Sequence, residues 1–445
     1  MYSEKLKTRF DENEISIGDT IKVESKGQAY EGQLMPNTQS NAPDSIIMKL
    51  KSGYNIGILY DEKVRITKLG SAKRPTSFPF TIPRREENLP KVTLLWTGGT
   101  IGSKVGYGVG GTSTTVKPEE LFYYIPELPG IADLKVRHLF SVWSQDLTYI
   151  EWQKLAEAVA EELNDGAHGV VISHGTDTMH YTASALSFML KDLNAPVVLT
   201  GAQRSSDRGS SDAFLNLAAA VSLAAKSDIA EVGICMHASS SDDRMQFIRG
   251  VKARKMHTSR RDAFRPINDR PIAFVSTKGE ISYASEYKKV SANPERITKA
   301  RVNFEPGVAL IKAYPNSDPA VISYYLEKGY RGLIIEGTGL GHVPIDVTHE
   351  GKSWLMQIKG AINTGTVVGI TSQTIYGRVH TSVYEPLRVL SDAGAIFCED
   401  MLPETAYVKL GWLLGNYAAK DAKELLGKNM AGEIKKRINY DEFLV

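Results

Sequence analysis

The 445-residue sequence predicts an α/β protein, two α/β domains with mainly parallel sheets preceded by a small antiparallel β-barrel-like domain. Three observations carry this. Residues 1–74 hold short, alternating, β-branched segments separated by Gly, Asn, Pro and Asp. From Lys91 the rhythm becomes a near-continuous apolar strand, a turn and an amphipathic helix, repeated. A second series of the same kind begins after about Glu305.

Taken in order, "TIKVES", "AYEGQLM", "SIIMKLKSGYNIGIL" and "VRITKL" give the strands of the first domain, as a barrel, a sandwich or a sheet extension packed on the main body. Prolines and charges in "GSAKRPTSFPFTIPRREENLP" mark a linker, bounded here as 75–90. The first α/β domain spans 91–290. In it "KVTLLW" runs into a TGGT turn, "LKVRHLFSVW" precedes a helix near Tyr149 to Asn164, and "GVVISH" precedes one near Asp177 to Leu193. "PVVLTG" then precedes a helix near Ser211 to Lys226, and "EVGICMH" follows. The smaller C-terminal domain, 291–445, carries "GVALIKAY", "RGLIIEG", "TVVGITS" and "GAIFC", each with a helix after it.

Composition narrows the function classes. A net charge of +2 gives no overall pull toward nucleic acid or membrane. Cys235 and Cys398 are too far apart for a metal knuckle or a disulfide framework, which fits a reducing cytoplasm. The start "MYSEKLKTRF" has no apolar core, so no secretory signal is expected there, and no apolar run approaches the roughly 18 residues that span a bilayer.

Open parallel sheets bind ligands beyond the carboxyl ends of their strands. The informative residues sit there: "TGGT" (97–100), "WSQD" (143–146), "HGTDT" (174–178), "TGAQRSSD" (200–207) and "EGTGLGH" (336–342). A phosphate loop is a poor fit. The Gly-Lys-Ser at 351–353 has Asp346 where the first glycine belongs, and "GYGVGG" at 106–111 lacks a strand running into it. G-x-S-x-G and H-E-x-x-H are absent, which disfavours serine hydrolases and zinc peptidases. Threonine remains. Thr100 follows two glycines that let the backbone bend and a substrate approach. Thr176 and Asp177 sit at the next loop's mouth, where each is also a common helix cap. An alcohol needs a base. Lys255 is the candidate, one basic residue among Arg249, Lys252, Arg254, Arg260, Arg261, Arg265 and Arg270. That strip would face phosphate or an acidic partner, or else pair with nearby carboxylates. His174, His180, Trp143 and Trp354 read as packing or hydrogen-bonding residues.

"TGGTIGS", "SQD", "HGTDTM", "TGAQRSSD", "KMHTSRRDAFRPIN", "GTGLGHVP" and "EDMLPETAYVKLGWLLG" together resemble the asparaginase–glutaminase family, over residues 91–418. The resemblance implies two α/β domains with the active site between them, and amide hydrolysis through an acyl-threonine without metal or organic cofactor. It implies Thr100 as nucleophile, Thr176, Asp177 and Lys255 as its proton-handling set, and Tyr107 in a mobile lid as the group activating Thr100. Ser144 and Gln145 would hold the substrate's α-carboxylate, Asp177 would face its α-amino group, and Gly99 and Gly175 would line the site. Glu385 is the candidate for an acidic residue given by a neighbouring protomer. With the β domain in front, the chain further resembles the branch found in archaeal glutamyl-tRNA(Gln) amidotransferases. That branch implies glutamine or asparagine as ammonia donor and a cytoplasmic homodimer within a heterotetramer. Its partner, the amidotransferase E-subunit, would carry ATP and Mg²⁺ and present Glu-tRNA(Gln). A free asparaginase and an inactive ligand- or RNA-binding scaffold are the competing readings.

Overall fold

A computed structural model describes residues 2–35, 37, 43–50, 55–71, 88–99, 103–105, 112–114, 128–204, 211–292, 297–346 and 353–443. The first unit is an antiparallel sheet of β1 (Thr20–Ser25), β2 (Gln28–Leu34), β3 (Ser45–Leu50), β4 (Asn55–Leu59) and β5 (Arg65–Gly70), in the order β4-β3-β2-β1-β5. Period-2 alternation turns Ile21, Val23, Ile46, Met48 and Ile66 to one face. The sequence reading overlooked a helix, α1 (Glu4–Glu12), whose Leu6 and Phe10 cover that face and whose Ser3 accepts the Leu6 N–H at 3.3 Å. Leu6 and Phe10 stand four apart on an otherwise charged stretch, too short a signal to separate from a solvated start. The expected linker lies outside the described residues up to 87.

The central sheet starts with β6 (Lys91–Trp96). β7 (Asp133–His138) lies parallel on one side of it, and β8 (Gly169–Ser173) lies parallel on the other. β9 (Val197–Thr200) and β10 (Val232–His237) continue outward, still parallel. The chain thus lays strands to one side of β6 and then reverses, which opens a crevice between the carboxyl ends of β6 and β8.

Three strands depart from the parallel expectation. β11 (Arg244–Arg249) pairs antiparallel with β10. The six residues between them cannot hold the crossover helix that a parallel neighbour needs. A separate hairpin follows, β12 (Ala253–Lys255) with β13 (Phe264–Pro266), and then β14 (Ala273–Ser276) and β15 (Ile281–Tyr283) finish the sheet antiparallel.

Helices cover both faces. α2 (Tyr149–Asn164) begins at Thr148, whose N–H is accepted by Glu151 at 2.9 Å. α3 (Met179–Met189) starts two residues later and ends four earlier than the sequence suggests, because Leu190 and Lys191 leave to pair with Lys299 and Ala300. α4 (Ala213–Lys226) buries its alanine-rich face on the opposite side of the sheet.

The C-terminal sheet is parallel, in the order β16 (Val308–Lys312), β17 (Gly332–Gly337), β18 (Val367–Ser372) and β19 (Ile396–Phe397). Its helices are α5 (Ala320–Glu327), α6 (Trp354–Asn363), α7 (Glu385–Asp392), α8 (Pro403–Asn416) and α9 (Ala419–Leu426). α8 joins the two domains. One hydrophobic cluster runs from Leu95 through Phe188 to Trp412 and Leu426, with the Phe188 and Trp412 rings stacked at 6.0 Å. Burying such a side chain contributes about 1.5–3 kcal/mol. Lys252 and Asp400, both fully buried, pair across the same junction at 2.6 Å. Removing one partner of such a pair costs about 3–5 kcal/mol. Cys235 and Cys398 are buried free thiols. No helix among the described residues is long and apolar enough to cross a membrane.

Candidate active site

The strand ends that flank the crevice, those of β6 and β8, are tied together by side chain–backbone hydrogen bonds. Thr97 Oγ1 donates to the Ser173 carbonyl at 2.5 Å, and Thr97 N–H donates to Ser173 Oγ at 3.3 Å, latching the two strand ends together. Gly98 and Gly99 then take φ of +103° and +84°, which an L side chain rarely adopts. A Cβ on Gly99 would stand 2.6 Å from the Gly175 nitrogen, and one on Gly175 would stand 2.7 Å from Ser144 Cβ and Oγ. Three loops, after β6, β7 and β8, therefore meet with no room for a methyl group. Thr100 and Tyr107 lie outside the described residues.

Across the crevice, Lys255 Nζ donates to Thr176 Oγ1 at 2.9 Å and to Asp177 Oδ1 at 2.6 Å. Thr176 is buried and the Lys255 side chain is 9% exposed, whereas that of Asp177 is 66% exposed. The cluster has a shielded hydroxyl–amine side and an open carboxylate side. Neither Thr176 nor Asp177 caps α3. Its N-cap is Thr178, which instead donates to the Ser144 carbonyl at 2.6 Å and ties the Ser144–Gln145 turn to the helix start. Ser144 is buried and Gln145 exposed, in a single 3-10 turn.

Lys255 is delivered by the β12–β13 hairpin. Phe264, opposite Lys255, is fully buried, and its carbonyl accepts Gln246 Nε2 at 3.0 Å. The bend between the strands is clamped by Asp262, which takes Arg260 at 2.8 Å and Arg265 at 2.6 Å. The basic strip is therefore not a free cationic surface. Arg249 pairs with Glu231 and Asp269, Lys252 with Asp400, Arg254 with Glu404, Arg261 with Asp242 and Arg270 with Asp441.

The histidines are neutral supports. His174 is fully buried; its Nδ1 lies 2.6 Å from the Gly175 carbonyl and its Nε2 2.9 Å from Thr182 Oγ1. Only an Nδ1–H tautomer satisfies both, the hydroxyl donating to Nε2 while Trp152 Nε1 donates to that hydroxyl at 3.0 Å. Burial pulls the His174 pKa down to about 4, against the opposing pull of the Gly175 carbonyl. Burial, then the charges of Arg254 and Lys255, pulls His180 down to about 3. Trp354 fills the core as expected; Trp143 does not, being 40% exposed beside Ser144. Glu385 opens α7 and is exposed.

Sequence reasoning missed three residues that shape the site. Thr178 is one. Gln203 Oε1 accepts from Thr176 Oγ1 at 3.5 Å, and its buried Nε2 has no partner among the described residues. Asp212, fully buried, accepts the Gln203 and Arg204 N–H groups at 3.0–3.1 Å and holds the β9 loop. Among the described residues no group of three or more His, Cys, Asp and Glu could hold a metal ion.

Residues 91–289 match the sequence model of the asparaginase N-terminal domain, 307–426 the glutaminase/asparaginase C-terminal domain, and 15–69 the GatD N-terminal domain. The chain is 44% identical to the glutamyl-tRNA(Gln) amidotransferase D-subunit of Pyrococcus abyssi, covering 97% of this chain and 98% of that one. It is 42% identical to the protein of the same name from Methanococcus maripaludis, covering 96% and 100%. Among solved structures it is similar to the thermostable L-asparaginase of Thermococcus kodakarensis, with a TM-score of 0.68 and 28% identity. L-asparaginase I of Vibrio cholerae gives 0.67 and 29%. Both asparaginases cover 78% of this chain and 100% of their own length.

Proposed function

The chain belongs to the asparaginase family, in the branch that carries the GatD N-terminal domain, and from that premise we propose that it is the ammonia-releasing subunit of a glutamyl-tRNA(Gln) amidotransferase. One observation carries the choice over a free asparaginase. The amidotransferase relatives match the chain nearly end to end, whereas the asparaginase structures leave about a fifth of it without a counterpart.

The chemistry is hydrolysis of a side-chain amide in two halves. Thr100 Oγ attacks the amide carbon, and the oxyanion is held by backbone N–H groups of the loops around Gly99 and Gly175. Tyr107 takes the Thr100 proton and passes it toward the leaving nitrogen, which departs as ammonia. Water then attacks the acyl-threonine ester. Thr176 relays the water's proton to the Lys255 amine, which enters this step without its extra proton and with Asp177 beside it; the same proton then returns to Thr100 Oγ as the ester bond breaks and glutamate or aspartate leaves. Proton handling of this kind contributes roughly 10²–10⁴-fold. What supports it is the short pair of contacts from Lys255 Nζ, with the amine shielded and Asp177 open to a substrate amine. Ser144 and Gln145 take the α-carboxylate.

The ammonia serves a partner protein, the amidotransferase E-subunit, that phosphorylates the glutamyl group of Glu-tRNA(Gln) with ATP and Mg²⁺. We place the assembly in the cytoplasm as a homodimer within a heterotetramer. Ammonia release from glutamine and from asparagine, measured with the chain alone, with the partner, and with partner, Glu-tRNA(Gln) and ATP–Mg²⁺, tests the reading. Turnover that rises with partner and tRNA, yielding Gln-tRNA(Gln), supports it. Full asparagine hydrolysis by the chain alone, unchanged by either addition, overturns it in favour of a free asparaginase. No turnover under any condition makes it a scaffold.

A further inference from the structure

Lys255 stands on a three-residue strand whose preceding cations point elsewhere. Successive residues of a strand face opposite sides, so Arg254 turns away from the Thr176 side that Lys255 faces. Arg254 reaches the C-terminal domain instead. Its Nη2 lies 3.2 Å from Glu404 Oε1, and its Nη1 donates to Oε2 at 3.5 Å. Two residues earlier Lys252 does the same, donating to Asp400 Oδ2 at 2.6 Å. Asp400 lies just before α8, and Glu404 lies in its first turn. α8 is itself held by the hydrophobic cluster shared by the two domains.

We infer that the ion pairs Arg254–Glu404 and Lys252–Asp400 are positioning groups for the active-site amine, so that the C-terminal domain fixes where Lys255 stands relative to Thr176 and Asp177. The inference rests on the reading of Lys255 as part of the proton-handling set.

Adhesion alone does not account for these pairs. The junction is already sealed by apolar packing around Phe188 and Trp412, and a buried ion pair is no more stabilising than well-packed hydrophobic residues of the same volume. What a hydrogen-bonded pair adds is a fixed direction and distance. Both pairs lie within three residues of Lys255, Arg254 on β12 and Lys252 in the turn that leads into it. The anchor extends further. Asp400 Oδ1 accepts the Lys435 N–H at 3.0 Å, and Lys435 Nζ pairs with Asp269 at 3.0 Å and with Glu442 at 2.7 Å. Lys435 and Glu442 follow the span matched to the asparaginase C-terminal domain, which stops at 426. The arrangement also balances charge. Arg254 is near enough to the site to depress His180 together with Lys255, and Glu404 sets an opposite charge 3.2 Å from that guanidinium.

The test is a pH profile of ammonia release by the partner-bound enzyme, with Glu404→Gln, Arg254→Gln, the double variant, Glu404→Asp and Lys255→Met. Glu404→Gln leaves Arg254 unbalanced and moves the acid-side midpoint of kcat down, whereas Arg254→Gln leaves Glu404 and moves it up, each by roughly 0.5–1 pH unit. The double variant returns the midpoint to within a few tenths of the original. Glu404→Asp keeps the charge but shortens the reach, so kcat falls roughly 10-fold without a shift in midpoint and with little change in KM. Midpoints unmoved in both single variants, with kcat changing only as the folded fraction changes, overturn the inference and leave Lys255 standing if Lys255→Met is inactive. Turnover retained in Lys255→Met overturns the reading of Lys255, and the inference with it.

Discussion

Replacing Gly99 by alanine should separate the two loops on which catalysis depends while leaving the fold in place. The added Cβ would stand 2.6 Å from the Gly175 nitrogen, 2.7 Å from the His174 carbonyl carbon and 2.8 Å from its oxygen, against 3.4 Å for ordinary contact. All three atoms are backbone, so no side chain can swing aside and the loops must part by roughly 0.6–0.8 Å. The φ of +84° adds strain of about 1–2 kcal/mol for an L-residue. A displacement approaching 1 Å at reacting groups costs up to about 100-fold, so kcat should fall roughly 10–100-fold. KM should change less than about 3-fold, because the proposed binders of the α-groups, Ser144, Gln145 and Asp177, lie on other loops or keep their anchors. Gly98→Ala is the control. It carries the same kind of strain at φ +103°, but its Cβ would come no nearer than 3.2 Å to the Val142 backbone and 3.4 Å to Ser141 Cα. Steady-state ammonia release, with circular dichroism to verify folding, compares the two. Equal kcat losses in both variants, or wild-type kcat in Gly99→Ala, would refute the argument that these loops act as one unit.

Thr176→Val removes the oxygen that Lys255 Nζ meets at 2.9 Å and should lower kcat roughly 10²–10⁴-fold, whereas Thr176→Ser keeps most of it; the same ammonia assay decides. His174 titrates near 4 when folded because it is buried, below its free value, so the neutral ring's contribution is complete above about pH 6.5 and disappears as pH falls through 4. Wild type should lose about 2 kcal/mol more than His174→Gln between pH 7 and pH 5, and parallel melting curves would contradict this. Burial pushes the Glu162 carboxyl up, but hydrogen bonds from Lys135, Arg137 and Thr93 outweigh it and hold the pKa below the usual range. Its stabilisation is present above about pH 4.5 and lost on further acidification, so the melting-temperature gap between wild type and Glu162→Gln should narrow below about pH 4.

Much of the architecture could be read from the chain because apolar runs such as "GVVIS" stop sharply at polar or glycine-bearing turns, and those stops fall at the strand ends lining the crevice. The reversal of strand order at β6 could not be read, since which strand joins which edge is decided by packing between distant segments. The same holds for the antiparallel edge and for the basic strip, whose carboxylates lie as far away as Glu404 and Asp441. Lys255 carries no local mark among its neighbours; family resemblance singled it out, and only the folded hairpin shows it alone of the strip reaching Thr176. Thr178 and Asp212 were missed for a plainer reason. Each looks like an ordinary helix-start residue, and its actual partner lies away from the helix: the Ser144 carbonyl on another loop for Thr178, and the Gln203 N–H nine residues back in its own loop for Asp212.

The covalent intermediate is the centre of the account. Rapid acid quench of the enzyme with glutamine, or labelling with an electrophilic glutamine analogue, followed by peptide mass mapping, locates it directly. The account predicts, on the peptide bearing Thr100, an ester after the quench and a stable adduct after labelling, both absent in Thr100→Ala, with the ester accumulating in Thr176→Val. An adduct on Thr176, or full turnover in Thr100→Ala, would contradict it.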